Sequence, residues 1–130
     1  MASGPERPNF TILKGVPVLI VEDAWHVANA IKSTLEQMEM HVVGPTATTA
    51  DARSLTATHI PRLAVVDINL KQETSCGLID ELHQQGIQVI VISGYAAPAV
   101  SGDRVAAFLQ KPFSGTELIT TILRVLGSPR

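Results

Sequence analysis

Five residues with useful chemistry stand where apolar runs give way to polar ones. VPVLIVE (16–22) ends on Glu22 and is followed by Asp23, and RLAVVDI (62–68) carries Asp67. QVIVIS (88–93) ends on Ser93, and AAFLQ (106–110) is followed by Lys111. Acids after strands most often serve as helix N-caps or loop charges, so the weight lies in the set and not in any one member. Three carboxylates brought together repel one another and raise their pKa values unless a cation joins them. A hard divalent ion such as Mg²⁺ suits such a cluster. With that charge screened, one carboxylate can attack phosphorus while the Lys111 ammonium and the Ser93 hydroxyl hold the oxygens of the transferred group. Asp67 is the candidate nucleophile, because the adjacent Glu22 and Asp23 more naturally share a metal. VEDAWH, after the first run, contains no glycine, which argues against a phosphate-cradling nucleotide loop.

For these residues to meet, the runs that carry them must lie side by side. Each is an unbroken Val/Ile/Leu-rich stretch of strand length, the pattern of a strand buried on both faces. HVVG (41–44) adds a fifth, shorter strand. Between the strands the period changes to that of helices. Val27, Ala28, Ile31, Leu35 and Met38 recur at helical spacing over 24–38, a small-residue helix is expected over 48–58, and Leu78, Ile79 and Leu82 mark another, ended by Gly86. Ser114 and Glu117 form a capping box before Leu118, Ile119, Ile122, Leu123 and Leu126, and Gly127 closes that helix. Five strands alternating with five helical segments imply an α/β fold, a doubly wound five-stranded parallel sheet with helices on both faces. In such sheets ligands bind outside the carboxyl ends of the strands, where the five polar residues fall.

Length and composition narrow the options. The 130 residues suffice for one domain, with 1–14 expected as a flexible polar lead-in and 15–130 as the folded unit. A hydrophobic share of 45% against 17% charged residues describes a chain that folds. Ten Lys and Arg against twelve Asp and Glu, with no basic run, argue against nucleic acid as a direct partner. Cys76 is the single cysteine, so no internal disulfide is possible. Without a signal-like or membrane-length apolar stretch, a cytoplasmic protein with no membrane contact is expected. The four histidines, His26, His41, His59 and His83, show no metal-ligand spacing.

LIVED, VVDINL, VIVISG and LQKPF, in that order and each at the end of the appropriate strand, resemble the receiver (CheY-like response regulator) domains of bacterial two-component signalling. The resemblance covers Val16 to Leu126. It implies the flavodoxin-like strand order 2-1-3-4-5 and a phosphoacceptor role for Asp67. It further implies Asp23 as a direct Mg²⁺ ligand, Glu22 as a ligand through water, and the backbone carbonyl of Asn69 as a third protein contact. Ser93 corresponds to the switch hydroxyl, Lys111 to the lysine on the phosphoryl group, Phe108 to the aromatic switch, and Pro112 to a cis peptide. The phosphodonor would be a sensor histidine kinase or a histidine phosphotransfer protein. The expected function is a stand-alone receiver that passes its signal to a downstream protein by contact and is not a turnover enzyme.

The segment between Ser93 and Lys111 departs from the family, running about one helical turn (roughly 3.6 residues) short. GYAAPAVSGDRVA (94–106) holds Gly94, Pro98 and Gly102, so a short or distorted helix is expected there, with a consequence for the surface through which receivers signal. Tyr95, two after Ser93, is either a surface aromatic or a gate over the acidic edge. Phe108 taken alone reads as core, Cys76 as a small apolar filler, and Trp25 as a half-exposed helix residue or a reporter beside the acid pair. Two rival functions share these features. A haloacid-dehalogenase-like phosphatase also uses a strand-end Asp, but needs an acid two residues later to protonate the leaving group, where this chain has Asn69. A receiver-like adaptor would work without phosphorylation at all.

Overall fold

Alternation along the strands decides which layer each side chain joins, and the structure, a computed structural model, describes residues 9–94 and 102–127. The strands are β1 (Pro17–Val21), β2 (His41–Thr46), β3 (Leu63–Asp67), β4 (Gln88–Ser93) and β5 (Ala107–Gln110). All neighbours are parallel, in the order β2-β1-β3-β4-β5. The described helices are α1 (Trp25–Gln37), α2 (Thr49–His59), α3 (Cys76–Gln84) and α4 (Gly115–Gly127). Val18 and Ile20 of β1 face Ile31 and Leu35 of α1 and Leu118 and Ile122 of α4, in one apolar layer. Leu19 and Val21 face the other way, into a layer with Ala52 of α2 and Leu78, Ile79 and Leu82 of α3. β3 is buried at every position, as a central strand covered on both faces must be.

The capping box forms as its sequence requires: the Ser114 N–H donates to Glu117 Oε1 at 3.0 Å, and the Glu117 N–H donates to Ser114 Oγ at 3.0 Å. Among the described residues no helix is long and apolar enough to cross a membrane.

Two expectations need correction. The segment read as a polar lead-in is fastened at its end, because Phe10–Leu13 forms a 3-10 turn and Leu13 is fully buried. Burying a leucine contributes about 1.5–3 kcal/mol, and FTIL is too short a stretch to show a strand or helix period. β2 continues past Gly44 to Thr46, crossing a cis Gly44–Pro45 peptide with a register irregularity opposite β1. Of the five helical segments expected, four are α-helices among the described residues. The remaining one includes residues 95–101, outside the described residues, and its end, Gly102–Arg104, is a 3-10 turn.

Candidate functional site

β1 and β3 are paired with Val21 opposite Val66, so the residues that follow them emerge together at the carboxyl edge of the sheet. Glu22 and Asp67 are 2% and 4% exposed, and Asp23 is half-buried. Glu22, Asp23 and Asp67 each offer one carboxylate oxygen, all within 4.8 Å of one another. Lys111, just beyond β5, reaches into this cluster. Its Nζ lies 2.6 Å from Glu22 Oε1 and 2.9 Å from Asp67 Oδ2.

The remaining oxygens are held by backbone. The Ala24 N–H donates to Glu22 Oε2 at 3.1 Å, the Asn69 N–H to Asp67 Oδ1 at 3.1 Å, and the Lys71 N–H to Asp23 Oδ2 at 2.5 Å. Burial pushes the Glu22 carboxyl above its ordinary range, and the neighbouring Asp67 adds to the rise against the lowering by Lys111 and the Ala24 amide. For Lys111, burial disfavours the ammonium, but its bonds to Glu22 and Asp67 outweigh this and the pKa is raised. Glu22 Oε1 has no aligned hydrogen-bond donor and is balanced only by the ammonium beside it.

Ser93 ends β4 one residue past the Asp67–Ile92 pair. It is 1% exposed, and its carbonyl accepts the Lys111 N–H at 2.7 Å. The lysine is thus bound to β4 through its backbone and to β1 and β3 through its side chain. Phe108 of β5 pairs with Val91 of β4 and packs, half-buried, on the layer that α2 and α3 cover. The Lys111–Pro112 peptide is cis. Tyr95 lies outside the described residues. Cys76 opens α3, half-buried against the α2/α3 layer, while Trp25 is exposed on α1.

Three contributors had no signal in the sequence. Ser75 precedes α3 and has the type of an N-cap, yet its hydroxyl makes no capping bond. It is fully buried and donates instead to the Asp67 carbonyl at 2.6 Å. Glu73, in the same loop, spans to α2, where Thr49 donates to it twice. Lys71 acts through its backbone amide, which no side-chain pattern announces.

Oxygen-only donors, three of them carboxylates, match a hard divalent cation, and a buried oxygen such as Glu22 Oε1 with no aligned donor is the kind of atom such an ion satisfies. A sheet of this order with an acid cluster at its carboxyl edge suggests one family, and the profile of the response regulator receiver domain matches residues 18–123. The chain belongs to that family.

The receiver is similar to other regulators over most of its length. It is 26% identical over 120 residues to the transcriptional regulatory protein DesR of Bacillus subtilis (strain 168), covering 88% of this chain and 60% of DesR. The chain therefore spans less than two thirds of that curated relative. Among solved structures, the CheY-like receiver domain protein of Methanospirillum hungatei JF-1 superposes with a TM-score of 0.76 at 23% identity, covering 88% of this chain and 95% of that one. The response regulator PhyR of Brucella abortus gives a TM-score of 0.75 at 24% identity, over 87% of this chain and 48% of PhyR. These likenesses show the fold. The receiver is a module of two-component signalling, a family in which an aspartate is phosphorylated, and the cluster of Glu22, Asp23 and Asp67 fits the phosphoaspartate and Mg²⁺ site.

Proposed function

We propose that Asp67 accepts a phosphoryl group from a phosphohistidine of a sensor histidine kinase or histidine phosphotransfer protein. The observation that carries this is the single contact set in which Lys111 touches both Asp67 and Glu22 at the end of the central strand. One carboxylate oxygen of Asp67 attacks phosphorus, and the O–P bond forms as the N–P bond of the donor breaks. The imidazole nitrogen keeps the bonding pair and leaves as neutral imidazole when the other ring nitrogen carries a proton. Glu22, Asp23, Asp67 and the Asn69 carbonyl would hold Mg²⁺, whose charge offsets the negative charge of carboxylates and phosphoryl oxygens.

The Asn69 N–H fixes one oxygen of Asp67 and so orients the carboxylate. Lys111 donates to the incoming phosphoryl oxygens, and the Ser93 hydroxyl, buried at the neighbouring strand end, donates from the β4 side. Engaging Ser93 pulls on β4, and Phe108, paired with that strand, repacks, which shifts a two-state equilibrium read by a partner protein. Output through contact with another protein agrees with the likeness to PhyR, a Bartonella quintana form of which is described as an anti-anti-sigma factor. A phosphatase would need an acid where Asn69 stands, since an amide cannot protonate a leaving group.

Acetyl phosphate with Mg²⁺ is the direct test, read by intact mass. One added phosphoryl group in the wild type and none in Asp67→Asn is the expected result. An adduct of equal yield in Asp67→Asn, or none in the wild type, would overturn the proposal. A phosphotransfer profile against candidate kinases then identifies the donor.

A further inference from the structure

The loop between β3 and α3 is bound at both sides, and the two attachments meet through Glu73. Within the loop, Asn69 and Thr74 form an antiparallel bridge, and the Leu70 N–H donates to the Glu73 carbonyl at 2.9 Å. Leu70 is 7% exposed and sits in the α2/α3 layer, so the loop is anchored beneath. From this base the Glu73 carboxylate crosses to the start of α2, where Oε2 accepts the Thr49 N–H at 3.0 Å and Oε1 accepts the Thr49 hydroxyl at 2.6 Å. The Thr49 bonds, first the hydroxyl and then the amide, hold the Glu73 carboxyl below the usual carboxylate range. Arg53, one turn on, donates to Thr49 Oγ1 at 3.3 Å while its guanidinium grips Glu81 of α3 at 2.8 and 2.9 Å. Two residues before Glu73, the Lys71 N–H fixes Asp23 Oδ2. Asp23, Thr48, Leu70, Lys71 and Glu73 line one cleft of about 240 Å³ between the loop and the β2–α2 turn.

We propose that Glu73 is a positioning residue for the Asp23 carboxylate, clamping the loop to α2 so that the Lys71 amide holds Asp23 in its ligating orientation. Asp23 is half-buried and, unlike Glu22 and Asp67, has no contact with Lys111 among the ion pairs of the site, so the Lys71 amide is what fixes its rotamer. That amide lies on a loop whose outer half, 71–74, is exposed, and the Glu73 clamp is what ties this half to a helix. Partners that orient a metal ligand from behind typically govern affinity about 10- to 100-fold. The inference rests on the proposed function, because it assigns Asp23 to Mg²⁺.

The test measures Mg²⁺ binding by calorimetry in the whole chain, with hydrogen exchange of the Lys71 amide as a second readout. Glu73→Ala is expected to weaken Mg²⁺ binding about tenfold and to release the protected Lys71 amide, and Glu73→Gln, which keeps one acceptor, to fall between. Thr56→Ala is the control for plain loss of helix stability. The buried Thr56 hydroxyl donates to the Ala52 carbonyl at 2.8 Å within α2, away from the Glu73–Thr49 bonds, so its removal weakens α2 and leaves the clamp in place, and it should leave Mg²⁺ affinity unchanged. Equal Mg²⁺ affinity in wild type and Glu73→Ala, or an equal loss in Thr56→Ala, overturns the positioning role alone. A wild type that takes no Mg²⁺ overturns the metal site and this inference with it.

Discussion

Lys111 stands closer to Glu22 than to Asp67, 2.6 Å against 2.9 Å, so in the resting protein the ammonium chiefly neutralises the buried acid beside the proposed nucleophile. Replacing it by methionine leaves Glu22 Oε1 without a counter-charge in an interior position. An unsatisfied buried polar group costs about 1–3 kcal/mol, and Lys111→Met should lower unfolding free energy by that amount. In a Glu22→Gln background the same replacement should cost clearly less, because there the buried charge is already gone. Urea unfolding of the four proteins measures the coupling; strictly additive losses would show that the pair has no energetic meaning.

How far this site could be seen in the sequence depends on which atoms build it. The apolar runs that deliver Glu22, Asp67 and Ser93, with Lys111 just past a further run, AAFLQ, placed four side chains at one edge because strand length and parallel order leave few alternatives. Contacts made by backbone were invisible. The Lys71 amide on Asp23 depends on loop conformation, and Ser75 kept the type of an N-cap while its hydroxyl turned to the Asp67 carbonyl. Glu73 carries no local signal because its partner Thr49 lies 24 residues earlier. Leu13 escaped for the opposite reason, since the apolar stretch FTIL around it is too short to show a period.

Mg²⁺ should stabilise the folded chain by mass action, since the acid cluster exists only when β1 and β3 are aligned. At a concentration 100-fold above the dissociation constant the gain is about 2.7 kcal/mol. Thermal melts with and without MgCl₂ should show a rise in Tm that Asp23→Asn and Glu22→Gln each reduce. Potassium chloride at matched ionic strength separates site binding from screening; a rise of the same size with that salt would count against a site.

Glu73 gives a pH dependence with a definite sign. Its folded pKa lies below the ordinary carboxyl value of 4.5, through the Thr49 hydroxyl and amide. The folded state therefore binds the proton less readily than the unfolded one, and the stabilisation is fully present above 4.5 and lost as pH falls through the folded value. Glu73→Gln lacks this component. The Tm difference between wild type and Glu73→Gln should shrink on acidification from pH 6 to pH 3, other groups cancelling in the comparison. A difference that stays constant over that range would show that the clamp does not depend on charge.

Two glycines with positive φ should respond unequally to alanine. Gly44 has φ +94, and a Cβ there would lie 3.0 Å from the Thr46 nitrogen and 3.2 Å from the Ile20 carbonyl oxygen, both backbone atoms that cannot turn aside. Gly15 has φ +75 with nothing within 4 Å of the added atom, so alanine there meets only the local left-handed cost of about 1–2 kcal/mol. Gly44→Ala adds a displacement of β2 against β1 to that cost. Because the Thr46 carbonyl accepts the Glu22 N–H at 2.9 Å, the displacement reaches the residue that opens the acidic edge. Gly44→Ala is expected to be the more destabilising of the two by urea unfolding and also to weaken Mg²⁺ binding, whereas Gly15→Ala lowers stability alone. Equal losses of stability with unchanged Mg²⁺ affinity in both would mean that β2 yields to the extra atom without moving Glu22.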